Sequence, residues 1–202
     1  MPVQVVDCKC SGCGAGVAPS MTVCEYCGKP VVITSFNSIV DRAAPEVNKL
    51  LRALEKDPDT AGDLSALADF TKGSCYLKLK LYDKAIEKFE SAIEQNLDNP
   101  EAYFYAAVCQ LKGRKACLTP LPNLKKALEY IEAANSIEPR GVFYLLAAYI
   151  KLDFFAKKYL RIDPDWRQEM DQALAANLST ADADTLFGIL GVPCPIELKD
   201  WA

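Results

Sequence analysis

The sequence predicts a mainly α-helical chain, an antiparallel helix-pair solenoid preceded by a small β unit. Three observations carry that reading. Five of the nine cysteines fall within the first 27 residues, four of them in two Cys-x-x-Cys-Gly turns. From Pro45 onward, apolar residues recur at the spacing of one helix face. Small and aromatic residues then return at an offset of 34 residues, the period of a stacked helix pair.

The chain has 202 residues, half of them apolar, which is enough for a real core. Net charge at pH 7 is −4, so general affinity for nucleic acid is not expected. There is no histidine, which excludes catalysis resting on a histidine base. The N-terminal MPVQVVDCKC lacks a basic stretch followed by an apolar run, so no signal peptide is expected. The longest apolar stretch, Val142 to Ile150, is far shorter than the ~20 residues of a membrane span. Uneven, odd-numbered cysteines do not make a disulfide framework. These features together point to a reduced, cytoplasmic protein.

Residues 1–36 form the first expected unit. Cys10-Ser-Gly-Cys13-Gly14 and Cys24-Glu-Tyr-Cys27-Gly28 are separated by ten residues. A Cys-x-x-Cys turn aims two thiolates at one point, and two such turns supply the tetrahedron that zinc takes. The glycine after each pair tolerates a left-handed backbone. Val3 to Asp7 and Val31 to Thr34 are short and β-branched, so they suit strands. Cys8 is expected on a strand and outside the ligand set, because Cys10 supplies the two-residue spacing to Cys13.

These residues resemble the short zinc-ribbon family, two Cys-x-x-Cys-Gly knuckles on a small sheet. The resemblance implies one structural Zn²⁺ held by Cys10, Cys13, Cys24 and Cys27. Four cysteine ligands leave no open position, so such a site does no chemistry. The stretch up to Thr34 is expected to unfold on chelation while the helices persist. Its charge is balanced, with Lys9 and Lys29 against Asp7 and Glu25, and it lacks the basic face of a nucleic-acid ribbon.

Residues 37–62 read as a hinge and a leading helix, with Val47, Leu50, Leu51 and Leu54 on one stripe. Helical repeats are expected over 63–178. The first pairs a helix from about Asp63 to Leu81 with one from about Asp83 to Gln95, the latter burying Ile86, Phe89, Ala92 and Ile93. The second opens on Asn99-Pro100-Glu101, a cap with proline just inside the helix. Gly113 to Asn123 holds two prolines and interrupts the pair. Val142 to Leu160 reads as one long helix, and another starts at Asp163-Pro164. Residues 179–202 are a capping helix and a tail, opened by the Ser179/Asp182 capping-box pattern and closed at Gly191.

Gly73, Tyr76, Ala85, Phe89 and Ala92 resemble the tetratricopeptide-repeat (TPR) pattern. Tyr103 and Ala107 follow 34 residues after Asp69 and Gly73, and Ala127, Ile131, Ala134 and Pro139 restore the second-helix pattern after the insertion. Asp69 and Lys72 stand where a tryptophan and a leucine are usual, and Leu97 replaces a terminal proline. The resemblance implies a TPR-like solenoid whose first helices line a concave surface. Its register assigns Phe70, Ser74, Glu101, Phe104, Tyr105 and Val108 to that surface. The lysine–asparagine clamp that some relatives use for a C-terminal carboxylate has no match here. Trp201 and the tail are candidates to fill the groove in cis.

With two interaction modules and no catalytic constellation, the expected function is non-enzymatic. It is that of an adaptor or scaffold, binding a protein or peptide through the groove, the ribbon, or both. No membrane or small-molecule substrate is expected. The alternative is a nucleic-acid-associated factor using the ribbon, against which the balanced charge counts.

Overall fold

In the computed structural model, which describes residues 8–18, 20–56 and 63–199, the protein is mainly helical with one small sheet. The chain divides into two compact units, Met1–Asp98 and Asn99–Ala202. That boundary falls inside the span 63–178 expected as one run of repeats. The strand expected over 3–7, the loop before residue 63 and Trp201 lie outside the described residues.

The first unit opens with β1 (Cys8–Cys10) paired antiparallel to β2 (Val31–Ile33), in the register Cys8–Ile33, Lys9–Val32 and Cys10–Val31. A single turn, α1 (Asn37–Val40), leads to α2 (Ala44–Lys56), which buries Val47, Leu50, Leu51 and Leu54, the stripe read from the sequence. Then come α3 (Asp63–Lys78) and α4 (Tyr82–Gln95). Contacts between these two pair Asp69 with Ser91, Gly73 with Phe89, and Tyr76 with Lys84. Numbers rise along one helix as they fall along the other, so the helices are antiparallel. On α4 the interior takes Ala85 with Phe89, Ala92 and Ile93, while Ile86 is only half-buried.

Two positions of the repeat pattern, one matching it and one departing from it, acquire causes here. Gly73 is needed because a Cβ there would lie 2.9 Å from the Phe89 ring. Asp69, in place of the usual aromatic, accepts hydrogen bonds from the Ser91 hydroxyl (2.7 Å) and the Gln95 amide (3.0 Å), and pairs with Lys72 at 3.3 Å. A polar clasp thus joins the helices where a large side chain is expected.

The second unit begins at α5 (Pro100–Gln110), whose Asn99 cap accepts hydrogen bonds from the Glu101 and Ala102 N–H groups. It packs against α6 (Leu121–Ile137), again antiparallel: Tyr103 meets Tyr130 and Gln110 meets Asn123. The insertion between them contains a 3₁₀ turn, Ala116–Leu118. A third antiparallel pair is α7 (Gly141–Ile150) with α8 (Trp166–Ala175), followed by α9 (Thr180–Leu190). The single helix expected over 142–160 is instead α7, a π-helical turn at Lys151–Phe155 and a 3₁₀ turn at Ala156–Lys158. The helix expected from Asp163-Pro164 starts at Trp166, because the Asp165 carboxylate caps the N–H groups of Arg167 and Gln168. The Ser179/Asp182 capping box and the left-handed Gly191 stop are as read from the sequence. No helix among the described residues is long and apolar enough to cross a membrane.

Two outcomes follow for the first helix pair. Gly73→Leu is expected to destabilise the chain by about 1–3 kcal/mol through overpacking on Phe89, measured as a lower urea midpoint. Burial acts to raise the Asp69 carboxyl, but the Ser91 hydroxyl and Lys72 outweigh it and hold it below its ordinary value. A depressed folded pKa stabilises above the unfolded value, ~3.9, and that increment is lost as pH falls through the folded one. Stability of the wild type measured below about pH 4 should therefore fall more steeply than that of Asp69→Asn.

Candidate metal centre

Local folding delivers the four cysteines. Cys10 ends β1, and the chain reverses at once through Ser11 to Gly14; Cys24 follows Val23, which bridges Pro30. The two turns repeat each other bond for bond. Gly14 N–H donates to Cys10 O (3.1 Å) as Gly28 N–H donates to Cys24 O (2.9 Å). Cys10 N–H donates to Ala15 O (2.9 Å) as Cys24 N–H donates to Lys29 O (2.8 Å). Each turn closes on a left-handed glycine, Gly14 at φ +70° and Gly28 at φ +72°, where a side chain would be strained.

The Sγ atoms of Cys10, Cys13, Cys24 and Cys27 all lie within 4.8 Å of one another. Cys10 and Cys27 are 3.2 Å apart, and Cys13 and Cys24 are 3.8 Å apart. A disulfide is ~2.05 Å, and all four cysteines are free. Thiolates ~2.3 Å from one tetrahedral ion lie ~3.8 Å from each other, so the spacing is that of four donors around a single metal ion. The set is all sulfur, and it fits a soft or borderline cation.

Cys10 and Cys24 are buried while Cys13 and Cys27 face solvent, so the cluster sits at the edge of the unit. Burial acts to raise the Cys10 thiol. Backbone N–H groups of Cys13 (3.4 Å) and Gly12 (3.3 Å), aimed at its sulfur, outweigh this and lower it to about 6. At Cys27 the Lys29 N–H acts to lower the pKa, but the neighbouring sulfurs, Cys10 foremost, raise it to about 12. Thiolates this close repel, so once Cys10 is ionised its neighbour Cys27 resists. A cation at their centre removes that repulsion.

Cys8 is strand-borne and lies outside the cluster. Its sulfur meets Arg42, which no motif or spacing singles out. Arg42 is buried, with its guanidinium donating to Ser38 O (3.1 Å) and Met21 O (3.4 Å) and reaching Cys8 Sγ at 3.9 Å. A second hook is Thr71 on α3, which accepts the Ile33 N–H at 2.9 Å and donates to Leu67 O at 2.6 Å. A third is Lys78, whose ammonium donates to Val40 O. With Val31, Val32 and Ile33 fully buried, the metal unit is built into the first helices rather than appended to them.

The residues assigned to an open groove are placed otherwise. Phe70 packs on Phe89 at 5.7 Å between ring centroids, and Ser74 is buried with its hydroxyl donating to Phe70 O at 2.9 Å. Phe104 stacks on Phe143 at 4.6 Å and on Tyr105 at 5.1 Å, and Val108 is buried. Burial pushes the Tyr105 hydroxyl far above its ordinary value. Glu101 is half-buried and paired with Arg140 at 3.1 Å. None of the five buried side chains offers surface to a partner in this conformation. The repeat register identifies inward-facing positions but not which inward faces a short array covers with its own residues.

No protein-family model matches this chain, and no curated protein or solved structure shows significant similarity to it.

Because β2 is stitched to α3, stripping the metal with a chelator is expected to raise amide hydrogen exchange around Thr71 on α3 as well as in the cysteine turns. Exchange changes confined to residues 8–34 would restore the separable unit. Thr71→Val leaves the Ile33 N–H buried without a partner and should cost about 1–3 kcal/mol in the metal-loaded chain, read from urea denaturation.

Proposed function

We propose that this protein is a non-enzymatic adaptor whose first unit is a zinc ribbon and whose helix pairs form a short TPR-like array. The observation that carries the reading is the closed donor set. Four cysteines around one point leave no position for a substrate or an activated water, so a metal there holds shape. Zinc is the ion this reading assigns, because it is redox-inert and takes four thiolates in a tetrahedron. Its binding energy serves folding, in a unit whose strands are only three residues long.

The rest of the chain supports the same reading. There is no histidine, and burial raises the thiols of Cys75 and Cys109, which makes them poor nucleophiles. Nine free cysteines suit a reducing compartment, and the cytoplasm is the one proposed. Three antiparallel helix pairs in sequence suit repeats that stack by their faces, with the partner a protein or peptide.

The test is co-purification of the tagged, metal-loaded chain from its native cell, with cross-linking mass spectrometry to locate the contact. A defined partner cross-linked to the wild type and lost from Cys24→Ser is the expected outcome. Metal analysis should return one zinc per chain. An absence of any stoichiometric partner, or a redox-active metal in place of zinc, would sink the proposal.

A further inference from the structure

The sequence marks α2 only by its buried stripe. Its opposite face is different in kind. Lys49, Arg52 and Lys56 are all exposed and follow at intervals of three and four residues, so they lie in one row. Among the described residues none of the three forms an ion pair. The acidic residues of the same helix do not line that row's groove, and Glu55 is occupied with the Tyr76 hydroxyl at 3.0 Å. The row forms one bank of a groove of about 950 Å³. The other bank is the second cysteine turn, from Val23 through Gly28 to Pro30, and Pro45 and Ala53 add apolar surface from α2. Among the described residues, no acidic and no aromatic residue lines it.

We infer that this groove between the second cysteine turn and α2 is a docking site for an extended acidic peptide segment with apolar residues between its carboxylates. The inference rests on the adaptor reading and names the partner chemistry and the surface. Charge complementarity carries it. The row of three cations spans ~10 Å of helix. An extended chain repeats each face every ~6.6 Å, so carboxylates at alternate positions meet successive cations. The intervening side chains then point at Val23 and Pro30 on the other bank. That is the division seen in peptide grooves, in which one set of side chains sets charge and the other supplies buried anchors. A nucleic acid is the poorer fit. Among the described residues that line it, there is no ring for a base to stack on. The unit around it has 14 acidic against 11 basic residues, which steers a polyanion away but leaves a short acidic peptide a local target.

The geometry also ties docking to the metal, since one bank is the turn that Cys24 and Cys27 close. Metal removal should therefore abolish binding without touching Lys49, Arg52 or Lys56.

The experiment is fluorescence anisotropy on the full, metal-loaded chain at low ionic strength, with fluorescein-labelled Gly-Glu-Leu-Glu-Leu-Glu-Gly as probe. The same peptide with lysine for glutamate and a labelled oligothymidylate are the comparators. The acidic peptide should bind, weaken as salt is raised, and bind at least about tenfold more weakly to Arg52→Glu; the comparators should not bind. The double variant Lys49→Ser/Lys56→Ser should show the same direction of loss, and circular dichroism should report both variants folded, because all three side chains are exposed. No binding of the acidic peptide, or equal binding by wild type and Arg52→Glu, overturns the inference. Oligothymidylate binding that is lost in Arg52→Glu overturns it too and reassigns the groove to nucleic acid. Failure here is separable from failure of the adaptor reading. A native partner retained by Arg52→Glu removes the groove and leaves the adaptor; no partner on the wild type removes the adaptor.

Discussion

Two strands of three residues cannot hold themselves together in water, since an isolated hairpin is marginal even at greater length. Everything in the first unit answers that constraint. The four convergent sulfurs tie the strand ends at one side. On the other side β2 would present an unpaired N–H to a buried environment, and Thr71 of α3 supplies the acceptor. Arg42 spans the gap between, satisfying carbonyls of Ser38 and Met21 while its charge rests near Cys8. A buried guanidinium is tolerated only where its donors are met. The arrangement makes the sheet, the metal ligands and the first helices mutually dependent. Helix α3 is therefore the hub of this unit: its interior carries Thr71 for the strand, Gly73 for Phe89 and the Asp69 clasp for α4.

The second unit answers a comparable problem with hydrogen bonds from its helices. Its insertion would be a loose loop if only its own residues held it. Instead the Ala116 N–H donates to the Tyr149 hydroxyl at 3.2 Å and the Cys117 N–H to the Asp153 carboxylate at 2.9 Å. Burial acts to raise Asp153, and hydrogen bonds from Lys157 and the Cys117 N–H outweigh it and keep it low. The π-helical turn is what places Asp153 there together with Lys151, which pairs with Glu169 of α8. Inserting an extra residue into a helix re-aims the side chains that follow it. Here two buried charges are re-aimed toward two different partners, one on the insertion and one on the next helix. Breaking either pair leaves a charge buried without compensation, which is the costly direction for such pairs.

These hooks explain what was legible in the sequence. Helices α2, α4 and α6 announce themselves by stripes such as Val47, Leu50, Leu51 and Leu54, because period is a property of many residues at once. Caps at Asn99 and Ser179 are legible because they join a residue type to a fixed spacing. The cysteine turns are legible for the same reason, and the symmetry of their backbone hydrogen bonds is what repeated Cys-x-x-Cys-Gly spells. Arg42, Thr71 and Asp153 are each a single polar residue whose partner lies more than twenty positions away, and no local pattern marks them. The π turn is hidden because Val142 to Ile150 before it is apolar on every face, so an added residue breaks no visible stripe. Phe104 and Tyr105 were assigned to a surface for a related reason. An aromatic on an inward helix face has the same signature whether a ligand covers it or Phe143 does.

The closed metal site and the charged groove stand in a defined relation under the proposed function. A centre with four protein ligands can influence a partner only through the shape it imposes on its own backbone. In this chain that shape includes Gly28 in a left-handed conformation, which turns the strand from Cys27 toward Pro30 and so sets one bank of the groove. The opposite bank is α2, whose buried stripe is held against the same unit. The cations on its outer face are thus fixed relative to the turn by the hydrophobic contacts on its inner face. Among the described residues that line the groove none is acidic, although Glu25 on the turn and Glu46 and Glu55 on α2 lie elsewhere on its two banks and the unit as a whole is acidic. An uncompensated row of cations in an acidic unit is a local field at one mouth, and local fields of this kind select partners by charge and orientation more than by area. Under the proposed function the metal would contribute position and the helix charge, and specificity would arise where the two are held at a constant separation.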